Sequence, residues 1–160
     1  MDIRHFLETR DPAAPVVPPP VIAGLTGLGA VALGRLSGHK RILPGWTRPI
    51  GAGAIVAGLA FAIWGLLHFN MRDADPNPMQ RPTRFVTDGP YQLSRNPMYT
   101  GTTLVLAGLG LLKGSIPTLL SPIVYAFVLQ KGQIAFEESA LREAYGEEYE
   151  EYKRRVRRWL

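Results

Sequence analysis

The sequence contains no cysteine. That excludes disulfide bridges, thiolate metal centres and cysteine nucleophiles together, and it leaves the redox compartment open. Histidine is scarce as well: His5, His39 and His68 are too scattered to suggest a metal cluster, so no metal is expected. Charged residues make up only 19% of the chain, few for a soluble domain, and the apolar residues are gathered into blocks. The N-terminus mixes charge with proline before the first block and lacks a small-residue cleavage site. No cleavable signal is therefore expected, and the first apolar segment should stay in the mature protein. A length of 160 residues suits one domain, residues 1–160. The net charge of +5 would suit nucleic acid in a soluble protein, but beside apolar blocks it points to anionic membrane lipids instead.

Four uncharged runs organise the chain. The first covers residues 12–34, and after Pro20 its sequence VIAGLTGLGAVALG is rich in glycine and alanine, as in helices that pack closely in lipid. The prolines at 18–20 suit a helix entry. The second covers residues 49–71, and its 23 residues are more than enough to cross the hydrocarbon core. It carries Trp64 and, near its end, His68, which reads as an interface residue rather than a ligand. A basic loop at 35–48 joins these two runs and places Trp46 as an interfacial aromatic. Residues 96–112 and 114–130 form two shorter runs of 17 residues each, at the low end for a span. The Lys-Gly-Ser sequence at 113–115 predicts a tight turn between them and hence an antiparallel helical hairpin. Pro117 falls in the first turn of the second helix, and Pro122 is expected to kink it.

Residues 1–15 read as a surface helix or frayed tail, and residues 72–98, with five prolines, as an ordered loop. The tail from 137 onward is helical in composition, with apolar or aromatic residues at offsets of three and four and Gly146 marking a bend. The fold expectation is an all-α integral membrane protein of about four transmembrane helices plus a cytosolic C-terminal amphipathic helix. Two N-terminal spans would occupy 1–71, with the loop, hairpin and final helix in 72–160. With both termini cytosolic, thirteen lysines and arginines lie inside against five outside. The basic first loop runs against that trend.

The stretch RFVTDGPYQLSRNPMYTG at 84–101 is too dense in specific chemistry for a plain connection. Asp88-Gly89 signals a turn, and Gly89-Pro90 adds rigidity. Asn96 precedes proline and is biased away from the α region, so a helix should start at Pro97. The unpaired N–H groups of that helix start suit a carboxylate or other acceptor, and Arg95 just before it can add a bidentate contact. Taken alone, Arg95 could as well snorkel to headgroups. Glu137 and Glu138 do not share a helix face, so one can point to a ligand and the other to solvent. A glutamate can accept from ribose hydroxyls, although an acidic helix-start pair is the plainer reading. The topology puts the loop, with Tyr91 and Tyr99, on the same side as the tail, with Tyr149, Tyr152 and Arg155. Together they could enclose a zwitterionic, partly aromatic ligand.

Three blocks now carry a resemblance: GPYQLSRNPMYTG at 89–101, EE-x-x-L at 137–141 and YGEEYEEYKRRV at 145–156. In this order and spacing they resemble the isoprenylcysteine carboxyl methyltransferase family, a group that is also similar to phospholipid N-methyltransferases and membrane thiol methyltransferases. The resemblance covers residues 76–156 and implies an integral membrane, all-α enzyme that uses S-adenosylmethionine. It implies that Gly89, Pro90, Tyr91, Arg95, Asn96, Pro97, Tyr99 and Gly101 of the loop bind the cofactor with Glu137, Glu138, Tyr149, Tyr152 and Arg155 of the tail. Two positions depart from the pattern. Asn96 stands where many members have histidine, and Arg157 follows Val156 where proline is common.

Methyl transfer from a sulfonium needs positioning and exclusion of water rather than a metal or thiol. Arg95 and Glu138 are the candidates to align the acceptor, and the faces of Tyr91 or Tyr99 could stabilise the sulfonium. The acceptor would be lipophilic: a prenylated thiol or carboxylate, a lipid amine or a small hydrophobic thiol. Two other readings stand beside this one. One is a membrane sterol-type reductase with a nicotinamide cofactor, and the other is a non-enzymatic membrane scaffold or small transporter.

Overall fold

A computed structural model describes residues 14–38, 40–72 and 84–160. The expected N-terminal surface helix and the proline-rich part of the long loop fall largely outside the described residues. Those that are described form helices α1 (Pro19–Leu36), α2 (Thr47–Met71), α3 (Pro97–Lys113), α4 (Ile116–Lys131) and α5 (Gln133–Arg155), with one 3-10 turn at Gly89–Gln92. No strand occurs among them.

Local chemistry sets most of these boundaries. α1 begins at Pro19, because extended Pro18 (φ −61°, ψ 144°) leads into prolines at the first two helical positions, whose N–H groups would have no partner within the helix. α3 begins at Pro97 after non-helical Asn96 (φ −134°, ψ 62°), as pre-proline sterics require. It ends where Gly114 turns left-handed (φ 66°), and α4 starts two residues on, forming the expected hairpin. Pro117 sits in the first turn of α4, and α4 continues past Pro122 to Lys131. α5 starts at Gln133, earlier than the charge pattern suggested, with only Gly132 between it and α4. Gly146 breaks α5 as expected, with φ 49° and ψ −118°.

Three stretches are long and apolar enough to cross a membrane: Pro19–Leu36, Thr47–Met71 and the continuous α4–α5 stretch Ile116–Arg155. α3, at 17 residues, packs against them. Large apolar side chains such as Leu25, Leu28, Val56, Ile63, Ile123 and Phe127 are exposed on α1, α2 and α4. That outer surface suits lipid rather than water.

α2 and α3 make the closest pairing, and it is antiparallel. A Cβ on Gly58 would lie 2.5 Å from the carbonyl oxygen of Gly101, and one on Gly51 would lie 2.6 Å from that of Gly108. The reverse holds for Gly101 and Gly108, each 2.5 Å from the opposing glycine carbonyl. One heptad on, Gly65 lets Pro97 approach, at 3.1 Å from the same imagined Cβ. Backbones this close gain dispersion contacts that any side chain would forfeit. The seam fixes the start of α3, and with it the end of the 84–101 stretch, against α2.

At the opposite end of the bundle the first loop is tied down. Arg41 Nη1 donates to the carbonyls of Leu111 (3.2 Å) and Leu112 (2.6 Å), and Nη2 donates to Pro44 O (2.8 Å). Ile42 N donates to Gly114 O at 2.9 Å. One cation of the basic loop thus caps the C-terminal carbonyls of α3.

Candidate functional site

The 84–101 stretch and α5 meet at the same end of the bundle, and α2 supplies the floor on which the stretch turns. Gly89 needs φ 57°, and the His68 ring lies 2.7 Å from where its Cβ would be. Both facts demand glycine there. His68 Nε2 pairs with Asp88 Oδ1 at 2.8 Å, and Arg72 binds the other oxygen of that carboxylate. The hydrogen bond from His68, helped by the charge of Arg72, holds the Asp88 carboxyl below the usual carboxylate range. His68 is therefore a tether between α2 and the loop, a role more specific than an interface residue.

Beyond Gly89 the stretch is fastened to α5 by rings and by hydrogen bonds. Phe85 stacks on Tyr145 at 5.0 Å and meets the edges of Tyr149 and Tyr152 at 5.9 and 5.3 Å. Tyr152 Oη donates to Tyr91 O at 2.6 Å. Past Val156, which leaves the helix (φ −120°, ψ 130°), the chain turns back along the loop. Arg95 N donates to Arg157 O at 2.9 Å, and Asn96 Nδ2 donates to Arg158 O at 3.0 Å. Ser94 Oγ, fully buried, donates to Arg158 O at 3.2 Å and lies 2.9 Å from Thr100 Oγ1.

Arg95 is where the two parts converge. Its Nη1 donates to Tyr149 Oη at 3.1 Å and lies 3.2 Å from Glu138 Oε1. Both charged side chains are little exposed, 11% and 14%, so solvent screens the pair weakly. Tyr99 Oη donates to Glu137 Oε1 at 2.6 Å, and Gln133 Nε2 donates to the same oxygen at 2.8 Å. Tyr91 is buried, and its hydroxyl is held protonated by burial and, second, by the charge of Glu137.

Two polar atoms at this junction are buried without a protein partner: Tyr91 Oη and Arg95 Nε. Both are donors, and one is cationic. An unpaired buried donor is costly unless something accepts from it.

Most of the residues singled out from the sequence are thus brought together. Tyr91, Arg95, Tyr99, Glu137, Glu138, Tyr149 and Tyr152 share this junction, and Gly89, Pro90, Asn96 and Pro97 shape its backbone. Gly101 lies in the glycine seam against Gly58. Arg155 is exposed at the end of α5, and the guanidinium that reaches Glu138 belongs to Arg158. Phe85, Ser94, Gln133 and Arg158 escaped the sequence reading. For Phe85, an aromatic just before the turn was the available signal.

The model of the phospholipid methyltransferase family matches residues 46–148, well over half the chain. The matched span runs from the start of α2 into α5 and takes in the seam, the loop and both glutamates. The chain belongs to this family of membrane methyltransferases. With its apolar helices of crossing length, it is an integral membrane protein. An uncharacterised protein of Haemophilus influenzae is 40% identical over 63 residues, which is 39% of this chain and the full length of that relative.

Proposed function

We propose that the protein is an S-adenosylmethionine-dependent methyltransferase acting on a lipophilic acceptor. The observation that carries the reading is the pair of buried, unpartnered donors, Tyr91 Oη and Arg95 Nε, at the junction of loop and α5. A ligand with a carboxylate and several further acceptors answers both. Glu137 brings the complementary chemistry, because both of its hydrogen bonds go to Oε1, and Oε2 can accept from ligand hydroxyls. The donor set therefore fits an amino-acid carboxylate and a ribose in one molecule.

When bound, S-adenosylmethionine supplies a methyl group on a sulfonium, open to in-line displacement by a nucleophile. Arg95 holds the anionic end of the ligand, and Glu138 holds Arg95. Glu137, fixed by Tyr99 and Gln133, orients the hydroxyl-bearing part. Tyr91 and Tyr99 lie at the junction, and an aromatic face turned to the ligand would favour its cation. The Phe85–tyrosine cluster closes the loop side against water. The acceptor, a prenylated thiol or carboxylate, a lipid amine or a small hydrophobic thiol, approaches from the bilayer between the helices.

In this reading α1 to α4 all cross the bilayer, and α5, the loop and both termini face the cytosol as a single domain. Arg155 sits at the rim of the site, toward lipid headgroups. Calorimetry on the full chain in lipid nanodiscs tests the cofactor: S-adenosylmethionine or S-adenosylhomocysteine should bind, and no heat at millimolar ligand overturns the proposal. A methyl-transfer screen over lipid amines, prenylthiols and small thiols identifies the acceptor. Sidedness is read by thiol labelling, since the chain has no cysteine of its own. Leu93→Cys and Glu151→Cys, both at exposed positions, should label from the same side.

A further inference from the structure

Glu138 lies between two guanidinium groups, and it is shared unequally. Arg158 takes both oxygens, Nε to Oε1 at 2.8 Å and Nη2 to Oε2 at 2.7 Å. Arg95 reaches only Oε1, at 3.2 Å. A two-point fork at these distances is the stronger partner, so it decides how the carboxylate is turned.

Arg158 does not reach Glu138 by chance of a flexible side chain. Its own carbonyl accepts from Ser94 and Asn96, and the carbonyl of Arg157 accepts from Arg95 N. Trp159, the next residue, packs on the cluster of Leu106, Tyr125, Leu129 and Ile134. The segment after α5 is held by the loop on one side and the core on the other, which sets where the guanidinium arrives.

Two cations and one carboxylate leave one positive charge over. Because Arg158 occupies both oxygens of Glu138, Arg95 keeps its Nε buried and unpartnered. Without Arg158, Glu138 is free to fork onto Arg95 itself, cancelling its charge and consuming that donor. We propose that Arg158 is a positioning residue: it holds Glu138 away from Arg95 Nε, so that this donor stays unpaired for a ligand carboxylate. The inference rests on the cofactor reading above and adds to it a residue that touches no ligand.

The test is S-adenosylhomocysteine binding to the full chain in lipid nanodiscs, by calorimetry, with unfolding midpoints recorded without ligand. Arg158→Met should weaken binding on the order of tenfold or more, the scale of one charge-assisted hydrogen bond. Arg158→Lys keeps the charge but not the fork and should lose less. The discriminating variant is the double one, Glu138→Gln with Arg158→Met. A neutral amide cannot cancel Arg95, so the double variant should bind more tightly than Arg158→Met alone. A purely structural role for Arg158 predicts the opposite order. Unchanged affinity in Arg158→Met, or a double variant no tighter than it, overturns the proposal while leaving the cofactor reading intact. If Arg158→Met does not fold, affinity in Arg158→Lys equal to that of the unaltered chain overturns it. No binding by the unaltered chain overturns the cofactor reading and this inference together.

Discussion

The α2–α3 seam and the junction between loop and α5 solve the same problem, holding two segments close, by opposite means. The seam is tightest where glycine backbone faces glycine backbone, Gly58 against Gly101 and Gly51 against Gly108, with the opposing carbonyl oxygen 2.5 to 2.6 Å from where a Cβ would stand. The junction is made of side chains, with Phe85 among three tyrosines and Arg95 between Tyr149 and Glu138. A seam of glycines admits one spacing and nothing else. Side-chain contacts can be exchanged for ligand contacts. The rigid device lies within the apolar bundle, and the exchangeable one lies at the site proposed above for the cofactor.

That contrast predicts a graded set of effects. Gly58→Leu should be the most damaging change, since even the first carbon of its side chain meets a backbone oxygen at 2.5 Å. Overpacking of this kind typically costs ~1–3 kcal/mol, and a backbone that cannot yield puts it at or above the upper end. Gly53→Leu, with nothing within 4 Å, is the control and should unfold like the unaltered chain in a detergent melt. A seam that tolerates Gly58→Leu would show that the two helices can separate.

Phe85→Ala comes next. It removes three ring contacts from a partly buried position, for a loss of about 2 kcal/mol. Hydrogen exchange should quicken in residues 84–92 while α2 and α3 keep their protection; equal quickening in the helices would mean that the two regions are not separable. Tyr152→Phe deletes one 2.6 Å hydrogen bond to Tyr91 O and should lower stability by about 1 kcal/mol, again without touching the seam.

The smallest effect is that of acid. The Asp88 carboxyl is depressed by its bond from His68, so its contribution exists above the ordinary carboxylate value and is lost as pH falls through the lower folded value. Its side chain is 39% exposed, and solvent screening keeps the contribution small. Loop exchange should therefore rise modestly below about pH 4, and Asp88→Asn should flatten that rise. An unaltered rise in the variant would place the acid sensitivity elsewhere.

What could be read in the sequence follows from which physical signals a sequence carries. Uncharged runs and prolines located α1 to α4 to within a few residues, because charge cannot sit in a span and proline cannot sit deep in a helix without cost. Arg95 and the glutamates stood out as charge beside apolar runs. The seam was not legible: seven-residue glycine spacing on α2 says that something comes close, but not that it is α3. The segment after α5 was hidden for a different reason. Its bonds to the loop use the carbonyls of Arg157 and Arg158, and every residue has a carbonyl. Arg155 came from the resemblance of the 145–156 block, which stops short of Arg158; the helix ends at Arg155, and beyond that point a period of 3.6 no longer says which way a side chain faces.

The cap that Arg41 places on α3 has a bearing on how the chain enters a bilayer. Its bonds to Leu111 O and Leu112 O, with that of Ile42 to Gly114 O, clasp the first and third interhelical connections together. In the four-span reading proposed above, the two hairpins, α1–α2 and α3–α4, must then be threaded in the same sense, since flipping either one would strip a guanidinium from its carbonyls across the full thickness of the lipid. Insertion in two independent halves is compatible with this clasp only when both halves choose the same orientation. In that reading the arginine of the loop that ran against the charge count acts as a register pin between hairpins rather than as a vote for a side.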